Sequence, residues 1–279
     1  MQQKINEFIH NALAEDIGNG DMTTLATIPK KNISEAICYV KEDCVIAGID
    51  LAIQICKNVD ENLTVSFSVK DGDAVNANTA IGRIVGATHS ILKLERLLLN
   101  CMQRMSAIAT KTKHFVQMIA PYDVQLLDTR KTTPNFRVCE KWAVAIGGGV
   151  NHRIGLYDQI LIKDNHIMAA GGIQKAIEAC IEYIKELPTK LPVIVEVKNE
   201  HEFKIADSYP IVDRILLDNF TPEAIIELLS KNTSKKKLEA SGGINVSNIE
   251  AYAKTGINYV SLGNLTHHVS SIDISLKIL

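Results

Sequence analysis

A cluster of basic side chains between residues 128 and 166 is the feature of the sequence with the clearest chemical meaning. The segment DTRKTTPNFRVCEKWAVAIGGGVNHRIGLYDQILIKDNH contains Arg130, Lys131, Arg137, Lys141, Arg153 and Lys163, with His152 and His166. The formal net charge of the whole chain is only -2, so cations are concentrated here. Because like charges repel, this concentration favours a polyanionic ligand. Phosphates and carboxylates are natural candidates, since Arg offers them a fork of donors and Lys a point charge.

The elements that must position this cluster follow a strand-then-helix pattern. Short apolar runs predict strands at 124–127, 159–162, 192–197, 214–217, 237–240 and 259–262. Helical patterns lie at 136–146, 173–187, 202–206, 223–230 and 247–254. This alternation predicts an α/β fold with a parallel sheet. The number of units, without a GxGxxG fingerprint after the first strand, favours a closed or nearly closed barrel, and an open sheet remains the alternative.

The chain before the barrel has a different organisation. An amphipathic helix at 1–14 precedes a turn in which Asp21 or Thr23 caps the next element. Strands are predicted at 34–47 (broken at 41–43), 63–69 and 80–85, with a helix at 50–56. One long helix or two, at 89–119, join this part to the barrel and can also face a partner subunit. We therefore expect a small α/β domain at 1–112, with the tail 270–279 packed back on it, and an α/β barrel with the active site at 113–269.

Polar residues follow the predicted barrel strands where each one ends, which is where such barrels place their active sites. Arg130, Lys131, Arg153 and Lys163, with His152, would hold a phosphate and carboxylates. Ser241, Gly242 and Gly243, then Gly263 and Asn264, end the last two strands and suit a phosphate bound on backbone N–H groups. Glycine is expected there because a side chain would block close approach.

Two carboxylates also end apolar strands. Glu196 and Asp218 suit Mg²⁺ coordination or hydrogen bonds to ribose hydroxyls. The alternative is that either residue is a structural partner of Lys163 or Lys198.

Composition excludes several classes of protein. A pI near 6.5 argues against general nucleic-acid binding. The six cysteines are widely spread and form no CxxC motif, so we expect a reducing, cytoplasmic compartment. No apolar run reaches membrane-spanning length, nothing at the N-terminus resembles a signal peptide, and no P-loop is present. We therefore expect a soluble protein with no membrane partner.

The motifs DTRKTTP, EKWAV, GGGVNHRIGL and LIKDNHI together resemble the active-site signature of the quinolinate phosphoribosyltransferase family. The segments EDIGNGDMTT and LERLLLN…SAIAT resemble the family as well, so the likeness covers essentially the whole chain. It implies an N-terminal α/β domain followed by an incomplete α/β barrel. The implied reaction transfers the phosphoribosyl group of phosphoribosyl pyrophosphate to quinolinate with decarboxylation, giving nicotinate mononucleotide, with Mg²⁺ as cofactor. Lys131, Lys163, Glu196 and Asp218 are the expected catalytic residues.

The resemblance also implies a shared site. Arg96 matches a family arginine that reaches the substrate carboxylates in the neighbouring subunit, which implies a homodimer or a higher oligomer. His267 matches the family motif LTHS and His268 departs from it, so a supporting hydrogen bond and ligand contact both remain open for His267. Asn135 stands where the family has glycine, and we expect the turn to survive because Asn tolerates the left-handed backbone.

Three alternatives remain open from the sequence. One is the phosphoribosyltransferase-like protein associated with molybdenum transport, which shares the fold and DTRKT. The second is a catalytically silent sugar-phosphate-binding barrel, which the retained charged positions disfavour. The third is an aldolase-like barrel with Lys163 as a Schiff-base former.

Overall fold

The computed structural model describes residues 2–279. In its first part the helices and strands are α1 (Gln2–Ile17), α2 (Met22–Thr27), β1 (Ile33–Val40), β2 (Cys44–Val45), α3 (Ile49–Val59), β3 (Thr64–Phe67), β4 (Ala74–Val75), β5 (Thr79–Ala87) and α4 (Thr88–Ile119). The predicted break at 41–43 separates β1 from β2. Asp21 caps α2 by accepting a hydrogen bond from the backbone N–H of Thr24 at 3.0 Å. The helical pattern at 89–119 forms a single helix.

The remaining elements are β6 (Gln125–Leu127), α5 (Arg137–Ile146), β7 (Ile160–Ile162), α6 (Asp164–Ala170), α7 (Ile173–Lys185), β8 (Val193–Val197), α8 (Glu200–Ser208), β9 (Arg214–Asp218), α9 (Pro222–Lys231), β10 (Lys237–Ser241), α10 (Ile249–Ala253), β11 (Tyr259–Ser261), α11 (Asn264–His267) and β12 (Ile274–Ile278). All six predicted barrel strands are present. The sequence did not predict α6, and the short β4 was expected to be a turn.

The chain divides into two compact units. Unit 1 comprises the residues up to Lys113 with Thr132–Gly148 and Leu265–Leu279, and unit 2 comprises His114–Lys131 and Gly149–Asn264. The segment Thr132–Gly148, which the sequence analysis assigned to the barrel, therefore lies in unit 1. The spacing of apolar residues predicts where a helix lies along the chain, but it does not indicate which hydrophobic core the helix packs on.

Unit 1 contains a four-stranded antiparallel sheet in the order β12-β1-β5-β3. Because β12 pairs with β1 from Ala36↔Ile278 to Val40↔Ile274, the C-terminal tail lies on the N-terminal sheet. A separate antiparallel pair joins β2 to β4.

Unit 2 contains a six-stranded parallel sheet in the order β6-β11-β10-β9-β8-β7. Read from β7 the strands follow one another along the chain, and β6 lies beyond the last of them. A doubly wound sheet would instead reverse its order near the middle. The cyclic order is that of a barrel left open between β6 and β7, so the predicted incomplete α/β barrel is confirmed.

The inner face of this sheet follows from the strand register. Leu161, Ile194 and Leu216 form a buried apolar cluster on one face. Side chains alternate along a strand, so the residues two positions further on point to the same face. These include Glu196 and Asp218, at the C-terminal ends of their strands. The barrel therefore has an apolar layer with a polar layer directly above it.

The cysteines carry no disulfide. All six are free, and all except Cys180 are buried. Burial raises the pKa of Cys38 and of Cys56 to about 12, so these thiols stay protonated and behave as small apolar side chains. Among residues 2–279, no helix has the length and apolar character needed to span a bilayer.

Candidate active site

Most of the predicted site residues lie in unit 2, at or after the C-terminal ends of the barrel strands, except that His152 and Arg153 lie in the loop between α5 and β7. The unit 2 residues are Arg130, Lys131, His152, Arg153, Lys163, Glu196, Asp218, Ser241, Gly242, Gly243, Gly263 and Asn264. Arg96 and His267 belong to unit 1, where both side chains are exposed. Their roles, like those of the unit 2 residues, remain predictions at the level of single side chains.

Lys163 and Glu196 form an ion pair between neighbouring strand ends. Nζ of Lys163 lies 3.0 Å from Oε2 of Glu196. A hydrogen bond restrains the turn that contains Lys163: the backbone N–H of Lys163 donates to Nδ1 of His166 at 2.9 Å. The sequence analysis gave pairing with Lys163 as the alternative to a magnesium or ribose role for Glu196, and the structure shows this pairing. A cation beside an inward-facing carboxylate suits a substrate that carries both phosphate and hydroxyl groups.

Two aspartates hold the loop between α5 and β7 in shape. Asp128 is buried, and its Oδ1 accepts a hydrogen bond from the backbone N–H of His152 at 2.7 Å. Asp158 accepts from the backbone N–H groups of Ile154 at 2.7 Å and of Gly155 at 2.8 Å. The segment between these anchors includes Arg153, so its backbone is restrained on both sides. Such restraint is what a preorganised anion site requires.

The guanidinium of Arg153 is largely buried and lies close enough to the charge of Arg130 to be repelled by it, and both effects are unfavourable for a cation. Arg153 is 7% exposed, and its NH1 group donates to the carbonyl oxygen of Gln159 at 3.3 Å. Burial, and then the charge of Arg130, lower the pKa of Arg153, while Asp158 acts in the opposite direction. The guanidinium remains protonated because its ordinary pKa is far above neutrality. Two arginines that repel each other in a partly dehydrated place would be stabilised by a bound anion.

The end of β10 is packed against the end of β9. The backbone N–H of Asn219 donates to the carbonyl oxygen of Ser241 at 2.8 Å, and Asn219 has a φ of 59°. A Cβ on Gly242 would lie 2.2 Å from Oδ1 of Asn219, and the φ of Gly242 is 97°. Gly242 therefore has a packing reason to be glycine, which the sequence analysis did not foresee. Gly243, with a φ of 63°, faces open space.

Sequence reasoning missed a buried carboxylate beneath the site. Glu239 lies within β10, is fully buried, and contacts both Arg214 and His152. The signal was present, because Glu239 stands two positions before Ser241 and so points to the same inner face. The sequence analysis counted Glu239 only as part of a predicted strand and did not consider it as a site residue.

The basic cluster is divided between the two units. Arg137 and Lys141 lie in unit 1, and Lys141 is buried. Arg137 donates a hydrogen bond to Oγ1 of Thr132 at 2.8 Å. The sequence analysis grouped them with the anion-binding cations, but they lie on a helix of the other unit.

The acidic residues suit a metal ion that takes most of its oxygen ligands from a bound substrate and from water. Among residues 2–279, no cluster of three or more His, Cys, Asp or Glu side chains could hold an ion. Glu196 and Asp218 supply carboxylate oxygens, and Glu196 already contacts Lys163. Mg²⁺ requires six oxygen ligands and commonly takes several from substrate phosphates and water. The donor set fits a magnesium ion that arrives with a pyrophosphate.

Comparison with known proteins identifies the family to which this geometry belongs. The N-terminal domain of quinolinate phosphoribosyl transferase matches residues 21–106, and the C-terminal domain matches residues 108–277. A protein of Nicotiana glauca named quinolinate phosphoribosyltransferase (decarboxylating) 1 is 41% identical over 290 residues, covering 97% of this chain and 81% of that protein. A chloroplastic nicotinate-nucleotide pyrophosphorylase (carboxylating) of Arabidopsis thaliana is 41% identical over 285 residues, covering 96% of this chain and 80% of that protein.

Solved structures agree with the sequence comparisons. The structure of the nicotinate-nucleotide pyrophosphorylase from Francisella tularensis superposes with a TM-score of 0.90 at 38% identity. The match covers 100% of this chain and 97% of that one.

Proposed function

This chain belongs to the quinolinate phosphoribosyltransferase family, and from that premise we propose which of its residues carry the family reaction. The activity of the chain is phosphoribosyl transfer from phosphoribosyl pyrophosphate to quinolinate with decarboxylation. The products are nicotinate mononucleotide, pyrophosphate and CO₂, in the de novo synthesis of NAD. The family assignment supports this function and none of the three alternatives left open by the sequence.

The observation that carries the residue assignment is the pair formed by Arg130, which follows β6, and Arg153, which lies in the loop before β7. Burial and Arg130 both lower the pKa of Arg153, so the two guanidinium groups are held together at an energetic cost. Quinolinate has two adjacent carboxylates, and each can accept a pair of hydrogen bonds from a guanidinium. We assign the carboxylates of quinolinate to Arg130 and Arg153, with His152 close by.

In the first step the ring nitrogen of quinolinate forms a bond to C1′ of the ribose while the bond from C1′ to the pyrophosphate oxygen breaks. Positive charge develops on the ribose and negative charge on the departing pyrophosphate. We assign Lys131 and Lys163 to stabilisation of the leaving group, and their positions at or after strand ends, with partly or fully exposed side chains, support this assignment. Glu196 and Asp218 face the same side and suit the ribose hydroxyls.

Glu196 and Asp218 would hold a magnesium ion that binds together with the pyrophosphate. When bound, it neutralises charge on the leaving pyrophosphate as a Lewis acid. Glu196 and Asp218 would supply the protein ligands.

The 5′-phosphate is assigned to the ends of β10 and β11. Ser241, Gly242 and Gly243 form one turn, and Gly263 and Asn264 form the next. Such turns at the last strands of a barrel commonly bind phosphate through backbone N–H groups. The open space next to Gly243 supports this placement.

The second step breaks the bond between C2 of the ring and its carboxylate carbon. The electron pair stays on C2, where the positively charged ring nitrogen stabilises it, and a proton from solvent then completes C2. The chain therefore needs no general acid or base for this step. Its residues need only keep the departing carboxylate out of water.

We further propose that two copies of the chain share their sites, with Arg96 of one copy reaching the quinolinate of the other. The exposure of Arg96 supports this arrangement. So do the exposed apolar side chains of Leu156, Tyr157 and Met168, which follow the anion-binding loop and suit contact with another copy. The cytoplasm is the compartment we propose, on the basis of six free thiols.

One assay tests the function directly. The chain is incubated with quinolinate, phosphoribosyl pyrophosphate and Mg²⁺, and nicotinate mononucleotide and CO₂ are measured. We expect equal amounts of both products and none when phosphoribosyl pyrophosphate is omitted. Folded protein that forms no nicotinate mononucleotide would overturn the assignment.

A further inference from the structure

A buried carboxylate lies one layer beneath the proposed active site. Oε2 of Glu239 is 2.9 Å from NH1 of Arg214 and 3.5 Å from Nε2 of His152. The guanidinium of Arg214 in turn lies 4.2 Å from the centre of the Tyr259 ring. Burial acts to raise the pKa of Glu239, but the interactions with His152 and then with Arg214 outweigh it and hold that pKa below its ordinary value. Glu239 is therefore an ionised carboxylate inside the barrel.

The hydrogen bonds of His152 define its protonation state. The backbone N–H of Arg153 donates to Nδ1 of His152 at 2.8 Å, so Nδ1 must present a lone pair. A neutral imidazole has one N–H donor, and here it must be Nε2. The nearest acidic group to Nε2 is the carboxylate of Glu239. An imidazolium would direct a second N–H at the N–H of Arg153 and would break this hydrogen bond.

His152 thus connects the buried carboxylate with the anion site. On one side its Nε2–H faces Glu239, and on the other its Nδ1 holds the backbone of Arg153. Its own backbone N–H is held by Asp128 at 2.7 Å. In metal and hydrolase sites, a carboxylate behind a histidine fixes the tautomer and the orientation of the ring in the same way.

We propose that Glu239 is a positioning residue for Arg153, which it orients through the Nε2–H tautomer of His152. His152 then acts on quinolinate through Arg153, as a neutral relay and not as a third cation. The proposal rests on the assignment of Arg153 to quinolinate. Glu239 lies in β10, whose end carries the turn assigned to the 5′-phosphate, so KM for phosphoribosyl pyrophosphate serves as the control for a general disturbance of that strand.

The tautomer can be measured without any activity. Long-range ¹H–¹⁵N correlation spectra of histidine-labelled wild-type protein near neutral pH, with the His152→Gln spectrum for assignment, report the state of each ring nitrogen. We expect a protonated Nε2 and an unprotonated Nδ1 at His152. An imidazolium or the Nδ1–H tautomer would overturn the proposal, whatever the kinetics show.

Two substitutions of His152 separate the two halves of the relay. In His152→Asn the amide oxygen takes the place of Nδ1 and can still accept the N–H of Arg153. In His152→Gln the amide nitrogen takes the place of Nε2 and can still donate to Glu239. We expect His152→Gln to lower kcat/KM for quinolinate about tenfold, as loss of a supporting hydrogen bond does in comparable sites. His152→Asn should lower it less, and KM for phosphoribosyl pyrophosphate should change little in both.

Glu239→Gln, alone and combined with His152→Gln, forms a double-mutant cycle. The glutamine amide nitrogen would replace Oε1, which is buried and has no hydrogen-bond partner, so the variant keeps an acceptor for His152 and should fold. We expect quinolinate kcat/KM to fall in the wild-type background and not to fall further in the His152→Gln background. An unchanged value in folded Glu239→Gln, or an equal loss in both backgrounds, would overturn the relay. Inactive wild-type protein would refute the proposed function and still leave the tautomer measurement valid.

Discussion

Nζ of Lys163 lies 3.0 Å from Oε2 of Glu196, across the ends of two neighbouring parallel strands. The side chain of Lys163 is 44% exposed and that of Glu196 only 8%. The carboxylate is thus fixed in the barrel interior, while the ammonium group is open to the solvent from which the substrate arrives. A leaving pyrophosphate can attract this lysine without any rearrangement of the sheet.

Lys163→Met tests this role, because methionine keeps most of the side-chain volume and removes the charge. We expect kcat to fall by about 10²–10³-fold, the usual cost of losing one group that stabilises transition-state charge. Lys198→Met is the matched control, since Lys198 pairs with Asp164 at 3.3 Å and is similarly exposed. Steady-state kinetics that show the same loss in both variants would mean that general electrostatics, and not leaving-group contact, explains the effect.

Gly243→Ala tests the phosphate site. A Cβ at this position meets no protein atom within 4 Å but would enter the space assigned to the phosphate. We expect KM for phosphoribosyl pyrophosphate to rise about tenfold, equivalent to about 1.4 kcal/mol. Gly256→Ala is the control, because Gly256 has a φ of 88° and equally open surroundings. Both alanines carry the left-handed backbone strain of about 1–2 kcal/mol, so a rise in KM in the control as well would contradict the assignment.

Arg104→Met tests a buried ion pair in unit 1. Nε and NH2 of Arg104 donate to Oε1 of Glu140 at 3.1 and 3.0 Å, and Glu140 is fully buried. Removing the arginine leaves a buried carboxylate without its counter-ion, so we expect a loss of about 3–5 kcal/mol in the free energy of unfolding. The exposed pair of Arg83 and Glu35 provides the control, and Arg83→Met should have little effect. Denaturant unfolding that gives similar losses for both variants would show that burial of the pair is not decisive.

Mixing two inactive variants tests the proposed sharing of sites between copies. Arg96→Ala and Lys131→Ala each disable every site in their own dimers. After subunit exchange, half of the dimers are hybrids with one intact site, so about a quarter of wild-type activity should return. Verified exchange without recovery of activity would refute the role of Arg96 in the neighbouring site.

The sequence predicted the barrel well because its strands are short apolar runs bounded by polar residues. Parallel strands are covered on both faces, so such runs stand out even where they are only three residues long, as in β7 and β11. The left-handed turn at Asn135 was also confirmed, with a φ of 62°. Asparagine could replace the family glycine there because its side chain tolerates that backbone.

What the sequence did not predict depends on neighbours that are distant along the chain. Gly242 must be glycine because of Asn219, which follows another strand. Glu239 is stable inside its strand only because Arg214 and His152 lie beside it. Helix α6 was missed because it begins directly after Lys163, where a polar loop was expected.

Discrimination between quinolinate and nicotinate tests whether Arg130 and Arg153 form a site for two carboxylates. Nicotinate carries one carboxylate and would leave Arg130 or Arg153 without its carboxylate partner. Breaking a buried charge pair on one side costs about 2–5 kcal/mol, which corresponds to roughly 30- to several-thousand-fold in kcat/KM. Phthalate has the same two carboxylates and no ring nitrogen, so it should bind as an unreactive competitor of quinolinate.

The decisive measurement is therefore kcat/KM for quinolinate and for nicotinate on the same wild-type preparation, at saturating phosphoribosyl pyrophosphate and Mg²⁺. We expect a preference for quinolinate of at least about 30-fold, together with competitive inhibition by phthalate. Comparable kcat/KM values for the two substrates would contradict this expectation.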